Sequence, residues 1–438
     1  MSYLPEVRNS TVPGIAAQYI YSACIKTSTP DITILHDPWF TEGVYDGSWF
    51  QFPKVSDPIA SIGDVDAIYV SHIHPDHYDA VFLKHYFEVF GEKQILIADH
   101  QPNHLFGKMR SDGFSPTVVK GPITIGSTTI EILPHITGSA SDIDSAIILK
   151  YLDDQKKVHC VVNANDIIFD DKMSRNLKER AGEVDVLFCG YTGAGPYPQT
   201  YFDIDSNELE AEALKKKHNF FARYTRLTSH INAKVNVPFA GKYILGGKLS
   251  HLNAFRGVAD PVEVLDFDSN AIVLADNGGY INTADLIPVG TRVEKYPEEK
   301  CKEKIDQISR EKMDFERLFS VEEIHQLPIA RLLTAASRKA IAKSECEEDY
   351  YFCFAMPDET YMVINANKNA SISLHKNVPR AALMEPRSEI IIDQRYLFGL
   401  LTHVYHWNNA EVGSQYQTRR VPNVLVRSAQ SFLNNLAV

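Results

Sequence analysis

Ser71-His72-Ile73-His74-Pro75-Asp76-His77 constrains this chain more than any other stretch, because it sets four metal-capable side chains in six positions directly after the apolar run Ala67 to Val70. The run reads as a short buried strand and the polar group as the loop that follows it. Side chains two apart on extended backbone share a face, so His72 and His74 can aim at one point. Pro75 turns the chain, and Asp76 and His77 can then aim at a neighbouring point. Two imidazoles, followed by a carboxylate and an imidazole, suit two adjacent divalent ions, zinc first, with iron or manganese as alternatives.

Further strand ends repeat the arrangement. Leu133 ends a strand before His135, and Lys157 to Val162 reads as a strand leading to Asp166, a candidate bridging carboxylate. His230 and His251 flank the strand Val235 to Phe239, and either can complete the set. Asp37, fixed by Pro38 after the strand Thr33 to Leu35, can hold a ligand histidine by accepting its other N–H, or can cap a turn. Asp144 lies downstream of His135 and is assigned the same supporting role.

Elements alternate strand and helix, then turn to short strands, which is mixed α/β. Helices are expected over Asp79 to Gly91, Asn103 to Asp112 and Glu208 to Leu227, the last with Lys215 to Lys217 on a solvated face. Ile15 to Lys26 and Thr33 to Leu35 read as opening strands, and Ala271 to Leu274 with Tyr280-Ile281 as closing ones. Trp49, in the aromatic stretch Gly43 to Pro53, and Tyr191 and Tyr197, in the glycine-tyrosine stretch Gly190 to Pro198, are the candidate substrate walls; the alternative is that they pack as core.

Length allows one large or two smaller domains in 438 residues. The expectation is a metal domain over 1–290 and a smaller α+β domain over 291–438. In the latter, Pro297 to Arg317 reads as an exposed charged helix or linker, and Ser320 to Glu323 as a capping box before a helix running to Ala342. Tyr350 to Met356 and Thr360 to Ile364 form a hairpin through Pro357-Asp358-Glu359. Ser373 and Glu389 to Ile392 belong to further strands, and Tyr396 to His403 is a short helix. His403 to Asn409 is a polar-aromatic cluster assigned to a domain interface or substrate wall rather than to metal. The order of these elements is similar to sterol-carrier-protein-like domains.

A net charge of −12 argues against binding nucleic acid nonspecifically over the whole surface. No apolar run approaches a bilayer span. Met1 to Ser10 shows no secretory pattern, and the six cysteines form no C-x-x-C pair. A cytoplasmic protein with reduced core cysteines and a small-molecule substrate is expected.

His-x-His-x-Asp-His is the signature of the metallo-β-lactamase superfamily, and residues 72–77 resemble it in full. His36-Asp37-Pro38-Trp39, the His72 motif, Gly190 to Pro198 and Pro238-Phe239-Ala240-Gly241 follow in an order that resembles the metallo-β-lactamase-like part of CMP-N-acetylneuraminate hydroxylase. More distantly, they resemble L-ascorbate-6-phosphate lactonases. The similarity covers roughly residues 15 to 290. It implies an αββα sandwich with His72, His74 and His135 on one metal, Asp76 and His77 on the second, Asp166 between them and His251 as the final ligand. The hydroxylase also has a Rieske centre, which needs two Cys and two His ligands, and no Cys-x-His with Cys-x-x-His pair occurs here. Three readings follow: a dinuclear metal hydrolase for an ester, lactone or phosphoester, with Asp76 and Asp166 catalytic; an iron oxygenase of a sugar-like or nucleotide-sugar-like substrate with an external electron donor; and a non-enzymatic binding protein with a structural metal.

Overall fold

The computed structural model describes residues 13–138, 142–371 and 373–438. Met1 to Ser10 lie outside the described residues, as do the side chains of Glu322 and Glu323 on which the capping-box reading rests.

Period-two alternation builds two facing sheets. The first has seven strands in the spatial order Tyr280–Asn282, Ala16–Tyr21, Cys24–Ser28, Thr33–His36, Ala67–Tyr69, Gln94–Ala98, Thr117–Val119. The second has six: Val235–Phe239, Val186–Gly190, Val158–Asn163, Ser145–Leu152, Thr128–Pro134, Ile123–Ile125. Register sets the faces. Ile34 pairs with Ala67 and Leu35 with Ile68 in parallel. Ile34, Ala67 and Tyr69 turn inward to meet Ile132, Ile147, Leu149, Val161 and Phe188 of the second sheet. Leu35 and Ile68 turn outward, against Phe82, Leu83 and Tyr86 of the helix Ala80–Phe90 and Met109 of the helix His104–Ser111. On the far side, Val162, Leu187 and Cys189 pack against Leu177 of the helix Asp171–Ala181 and Tyr224 and Leu227 of the helix Glu208–Ile231. The result is an αββα sandwich.

Local chemistry explains the boundaries. Asp79 caps the helix Ala80–Phe90 by accepting from the Phe82 N–H, and Gly91 ends it at φ 78°. The expected strand Ile15 to Lys26 is two strands, because Ser22 takes a left-handed φ of 50° and turns the chain into a hairpin. Ala271 and Leu274 make only isolated bridges, with Asn236 and Thr291, while Tyr280–Asn282 joins the sheet edge. Lys216 departs from its expected solvated face: it is 8% exposed, its amine donates to the Arg256 carbonyl at 2.9 Å, and burial pushes its pKa down to about 7.

After residue 290, of the helix or linker expected over Pro297 to Arg317 the chain forms the helices Glu298–Ile308 and Asp314–Leu318, which are not wholly exposed: Ile308, Met313 and Phe315 are buried. A five-stranded sheet follows in the order Leu374–Pro379, Thr360–Asn365, Tyr351–Ala355, Arg387–Ile391, Gln417–Val421. Ser373 immediately precedes its edge strand. One face of this sheet, with Phe352, Phe354 and Ile390, packs on Leu333, Leu397, Leu401 and Phe432 of the helices around it. That apolar cluster continues without a break through Tyr396 and Trp407 to Tyr45, Trp49, Trp39 and Leu35, under the outer face of the seven-stranded sheet. All six cysteines are free, and five of them are buried. Among the described residues no helix is long and apolar enough to cross a membrane.

Candidate metal centre

The parallel strands Thr33–His36 and Ala67–Tyr69 end side by side and deliver two loops to one edge of the sandwich. Asp37 follows the first, in a left-handed conformation at φ 41°. It is fully buried, and its carboxylate accepts three donors: Ser71 N–H at 2.7 Å, Asn165 Nδ2 at 2.5 Å and His77 Nδ1 at 3.1 Å. The second loop turns after Pro75, where the N–H groups of His77 and Tyr78 both donate to the His74 carbonyl, at 2.9 and 2.8 Å. Asp79 then ties this loop to its neighbour by accepting from Phe40 N–H at 3.0 Å and Thr41 N–H at 2.7 Å.

These constraints sort the ring nitrogens into outer and inner atoms. The outer ones have fixed partners: His72 Nδ1 meets Ser71 Oγ at 2.9 Å, His77 Nδ1 meets Asp37, and His74 Nε2 meets Asn408 Oδ1 at 2.9 Å. The inner ones converge. His72 Nε2 lies 2.9 Å from His74 Nδ1, and His77 Nε2 lies 3.1 Å from Asp166 Oδ2 and 3.5 Å from Asp76 Oδ2. Ligand atoms of His72, His77 and Asp166 all fall within 4.8 Å of one another. Both histidines are buried and Asp166 is exposed, so the cluster opens to solvent on the Asp166 side.

The electrostatics suit a cation. Burial pushes the His72 pKa well below the usual histidine range, with the neighbouring histidines adding to it, so its ring is neutral and carries a lone pair. Burial acts the same way on His77, but the Asp166 and Asp76 carboxylates outweigh it and hold His77 well above the usual range. The Asp166 side chain keeps 35% of its exposure, and the part withdrawn from water would raise its pKa, yet His77 draws it below the ordinary carboxylate value. Three carboxylates, Asp37, Asp76 and Asp166, therefore surround His77, whose proton stands where a metal charge would stand. With an ion in place of the His77 proton, the donor set of imidazole plus carboxylate fits a borderline divalent ion.

Other assigned residues lie farther out. Asp144 Oδ1 is 3.7 Å from His72 Nδ1, and burial raises its pKa. His135 follows the strand Thr128–Pro134, its N–H donating to the Asp144 carbonyl at 2.8 Å; it is half-buried beside Asp144 and His100 and is not in the three-donor group. His251 is not brought to the cluster. It is exposed in the 3-10 helix Gly247–Phe255, with Nδ1 turned back to the Lys248 carbonyl at 2.8 Å. His230 is also elsewhere: it sits in the last turn of the outer helix Glu208–Ile231, against the Arg226 carbonyl at 2.8 Å and 3.8 Å from Asp171.

The aromatic walls differ from expectation in the same way. Trp49 is buried, stacked at 3.6 Å on Tyr243 and 4.5 Å from the Tyr45 ring, so it backs Tyr45 rather than facing a pocket. Tyr191 is buried in the outer core of the second sheet, and Tyr197 donates to Glu212 at 2.5 Å. Two residues not assigned to the metal site touch the cluster: Tyr45, whose hydroxyl donates to Asp76 Oδ1 at 2.5 Å, and Asn408, from the polar-aromatic cluster expected at a domain interface or substrate wall. Both lie in aromatic-polar stretches visible in the sequence, but nothing local marks either residue. His36 is a core histidine, pushed down to about 4 by burial and held by Thr27 Oγ1 at 2.8 Å.

Two facing sheets, helices outside, and a His-x-His-x-Asp-His loop at one edge together decide the architecture. The chain has a metallo-β-lactamase fold. No family model matches it. It is similar to a protein named as a Rieske 2Fe-2S iron–sulfur protein from Mycolicibacterium smegmatis, 30% identical over 245 residues, covering 53% of this chain and 44% of that one. It is also similar to the cytidine monophosphate-N-acetylneuraminic acid hydroxylase of Danio rerio, 22% identical over 246 residues, covering 54% of this chain and 40% of that one. This metallo-β-lactamase-fold chain thus spans less than half the length of these curated relatives. Among solved structures, the isothiocyanate hydrolase from Delia radicum gut bacteria aligns at 14% identity and TM-score 0.42, over 61% of this chain and 98% of that one. CmlA, a diiron β-hydroxylase from Streptomyces venezuelae, aligns at 16% identity and TM-score 0.40, over 62% of this chain and 55% of that one.

Proposed function

We propose that this chain is a metal-dependent hydrolase acting on an ester, lactone or phosphoester-type small molecule. The observation that carries the proposal is the convergence of His72 Nε2 with His74 Nδ1, and of His77 Nε2 with Asp76 and Asp166, while the outer atoms of all three rings are already partnered. His72 and His74 would hold one divalent ion, with His135 closing from the next loop; Asp76 and His77 would hold a second, with Asp166 between. Bound there, the ions supply Lewis acidity and lower the pKa of water. The chain's residues do the rest. Asp37 and Ser71 keep the outer nitrogens occupied, so the rings cannot turn away. Tyr45 occupies one Asp76 oxygen and leaves Oδ2 to orient an attacking water and to take its proton. The buried histidine wall and the exposed Asp166 restrict access to one side.

A second reading is favoured by the sequence relatives named as a hydroxylase and a Rieske protein. In it the same residues hold iron, and an external protein or small molecule supplies electrons, because no Rieske ligand pairs occur in these residues.

One experiment separates the two. Metal content is measured on purified protein, and ester, lactone, phosphodiester and nucleotide-sugar substrates are screened with and without oxygen. Anaerobic turnover by the zinc or manganese form supports hydrolysis. Turnover that needs oxygen and a reductant overturns it in favour of the oxygenase.

A further inference from the structure

His72 and His77 have their outer nitrogens held from within the metal-motif loop and its neighbour, by Ser71 and Asp37. His74 does not. Its Nε2 is met by Asn408 Oδ1 at 2.9 Å, from a residue 334 positions later. An amide oxygen only accepts, so in this contact the proton sits on His74 Nε2 and the lone pair on Nδ1. Nδ1 is the atom that faces His72 Nε2. A single consistent chain of donors follows: Ser71 hydroxyl to His72 Nδ1, His72 Nε2–H to His74 Nδ1, His74 Nε2–H to Asn408.

Asn408 is itself firmly placed. It lies in the first turn of the helix Trp407–Val412, where the His406 ring accepts the Asn408 N–H at 3.3 Å. Trp407 is buried and its indole donates to the Leu436 carbonyl at 2.7 Å. The segment after the helix grips the loop that carries Tyr45. Gln415 Nε2 donates to the Tyr45 carbonyl at 2.8 Å and the Asp46 carbonyl at 3.2 Å, and Ser48 Oγ donates to the Gly413 carbonyl at 2.6 Å. Gly413 permits the approach, since a Cβ there would come within 2.9 Å of Tyr45 Cβ. One C-terminal segment therefore reaches His74 directly through Asn408, and Asp76 indirectly through Tyr45.

We propose that Asn408 is a positioning residue of the metal centre, holding His74 in the Nε2–H tautomer so that Nδ1 keeps its lone pair on the inner side; a cation bound there would take the place of the His72 Nε2 proton, which can move to Nδ1 facing Ser71 Oγ. The inference rests on the metal-centre reading above. It makes the C-terminal region part of the site, so that the region's packing bears on how tightly the centre holds its ion.

The test uses the full-length protein with 15N-labelled histidine and zinc alone as the probe. In metal-free wild type, long-range proton–nitrogen correlation should show His74 in the Nε2–H tautomer. Asn408→Ala should show mixed tautomers and bind zinc about 10- to 100-fold more weakly in chelator competition. Asn408→Asp, which keeps the acceptor, should restore the tautomer and most of the affinity, with unchanged unfolding midpoints in all three proteins. A wild-type His74 protonated on Nδ1 overturns the proposal without any variant, and so does an Asn408→Ala protein with wild-type zinc affinity. If the wild type binds no zinc or other divalent ion, the metal reading fails on its own, while the imidazole spectrum still decides the Asn408–His74 bond.

Discussion

Tyr45 donates its hydroxyl proton to Asp76 at 2.5 Å from a backbone held at φ 57°, a left-handed conformation uncommon for a bulky side chain. Burial, with the Asp76 charge adding to it, keeps the phenol protonated far above neutral pH, so it is a permanent donor. Trp49 and the Gln415 contacts hold it there. Tyr45→Phe removes one hydrogen bond to a buried carboxylate, worth about 1.5–3 kcal/mol. The expected outcome is an unfolding free energy lower by that amount, read from the shift in urea midpoint, and slower turnover with little change in substrate affinity. A turnover number equal to wild type would show that Asp76 needs no such support.

Asp37 is the other anchor. Asp37→Ala leaves the Ser71 N–H, the Asn165 amide and His77 Nδ1 without their acceptor, each costing roughly 1–3 kcal/mol if unsatisfied. The variant is expected to be severely destabilised or unfolded. Asp37→Asn keeps one acceptor and should fold, with metal affinity about 10- to 100-fold lower, read by chelator competition.

Removing the metal is expected to lower thermal stability, because an ion that binds only the folded chain stabilises it by mass action. Dialysis against a chelator should lower Tm, and zinc should restore it. His74→Ala combined with Asp166→Ala should abolish both the zinc-dependent rise in Tm and the metal content by elemental analysis. Unchanged metal content would remove these residues from the site.

Lys216 gives a pH dependence unrelated to the centre. Its amine is buried and its pKa is about 7 in the folded chain, against about 10.4 for an unperturbed lysine. Between these values the unfolded chain binds more protons, so this group's contribution to stability rises with pH from about 7 to about 10.4. Below pH 7 the folded chain carries a buried charge. Lys216→Met should therefore stabilise the protein by roughly 2–4 kcal/mol at pH 6, with the gain shrinking toward pH 10. Urea midpoints at pH 6, 8 and 10 measure it; a pH-independent difference would contradict the assignment.

Asp46 has the opposite sign. Burial raises its pKa to about 6, partly offset by the Tyr396 hydroxyl that donates to it at 2.5 Å. A raised folded value gives stability that is complete below about pH 4, the unperturbed carboxylate range, and is lost as pH rises through 6. Asp46→Asn keeps an acceptor for Tyr396 and tolerates the left-handed φ of 63°. It should stabilise the protein by on the order of 1–2 kcal/mol at pH 7.5, discounted because Asp46 is partly exposed, and by nothing near pH 4.

Much of the fold was legible because it is written in short-range patterns. Short apolar runs over Thr33–His36 and Ala67–Tyr69 read as strands buried on both faces, whose successive side chains turn to opposite layers whatever the rest of the chain does. Asp79 and Gly91 bound their helix by local capping chemistry. The core of the site was legible for the same reason: residues 72 to 77 are six consecutive positions on one loop, so their convergence depends on little beyond a strand end and a proline.

The remaining contacts depend on tertiary packing, and here the sequence was silent or misleading. His251 lies in the expected part of the chain, yet a 3-10 turn points it at its own backbone. Lys216 sits in a run of charges that reads as surface, but the helix rotation fixed by Tyr224 and Leu227 turns it inward. Asn408 reaches His74 across 334 residues, and Tyr396 reaches Asp46 across 350. Such pairs form only because the C-terminal sheet and the seven-stranded sheet share one continuous apolar cluster. The sequence by itself determined the layers, the strand ends and which residues of the 72–77 loop stand together at one of them. Which polar groups hold those atoms from behind was decided by how the C-terminal region packs, because burying apolar surface is non-directional and leaves no local mark on the residues it brings together.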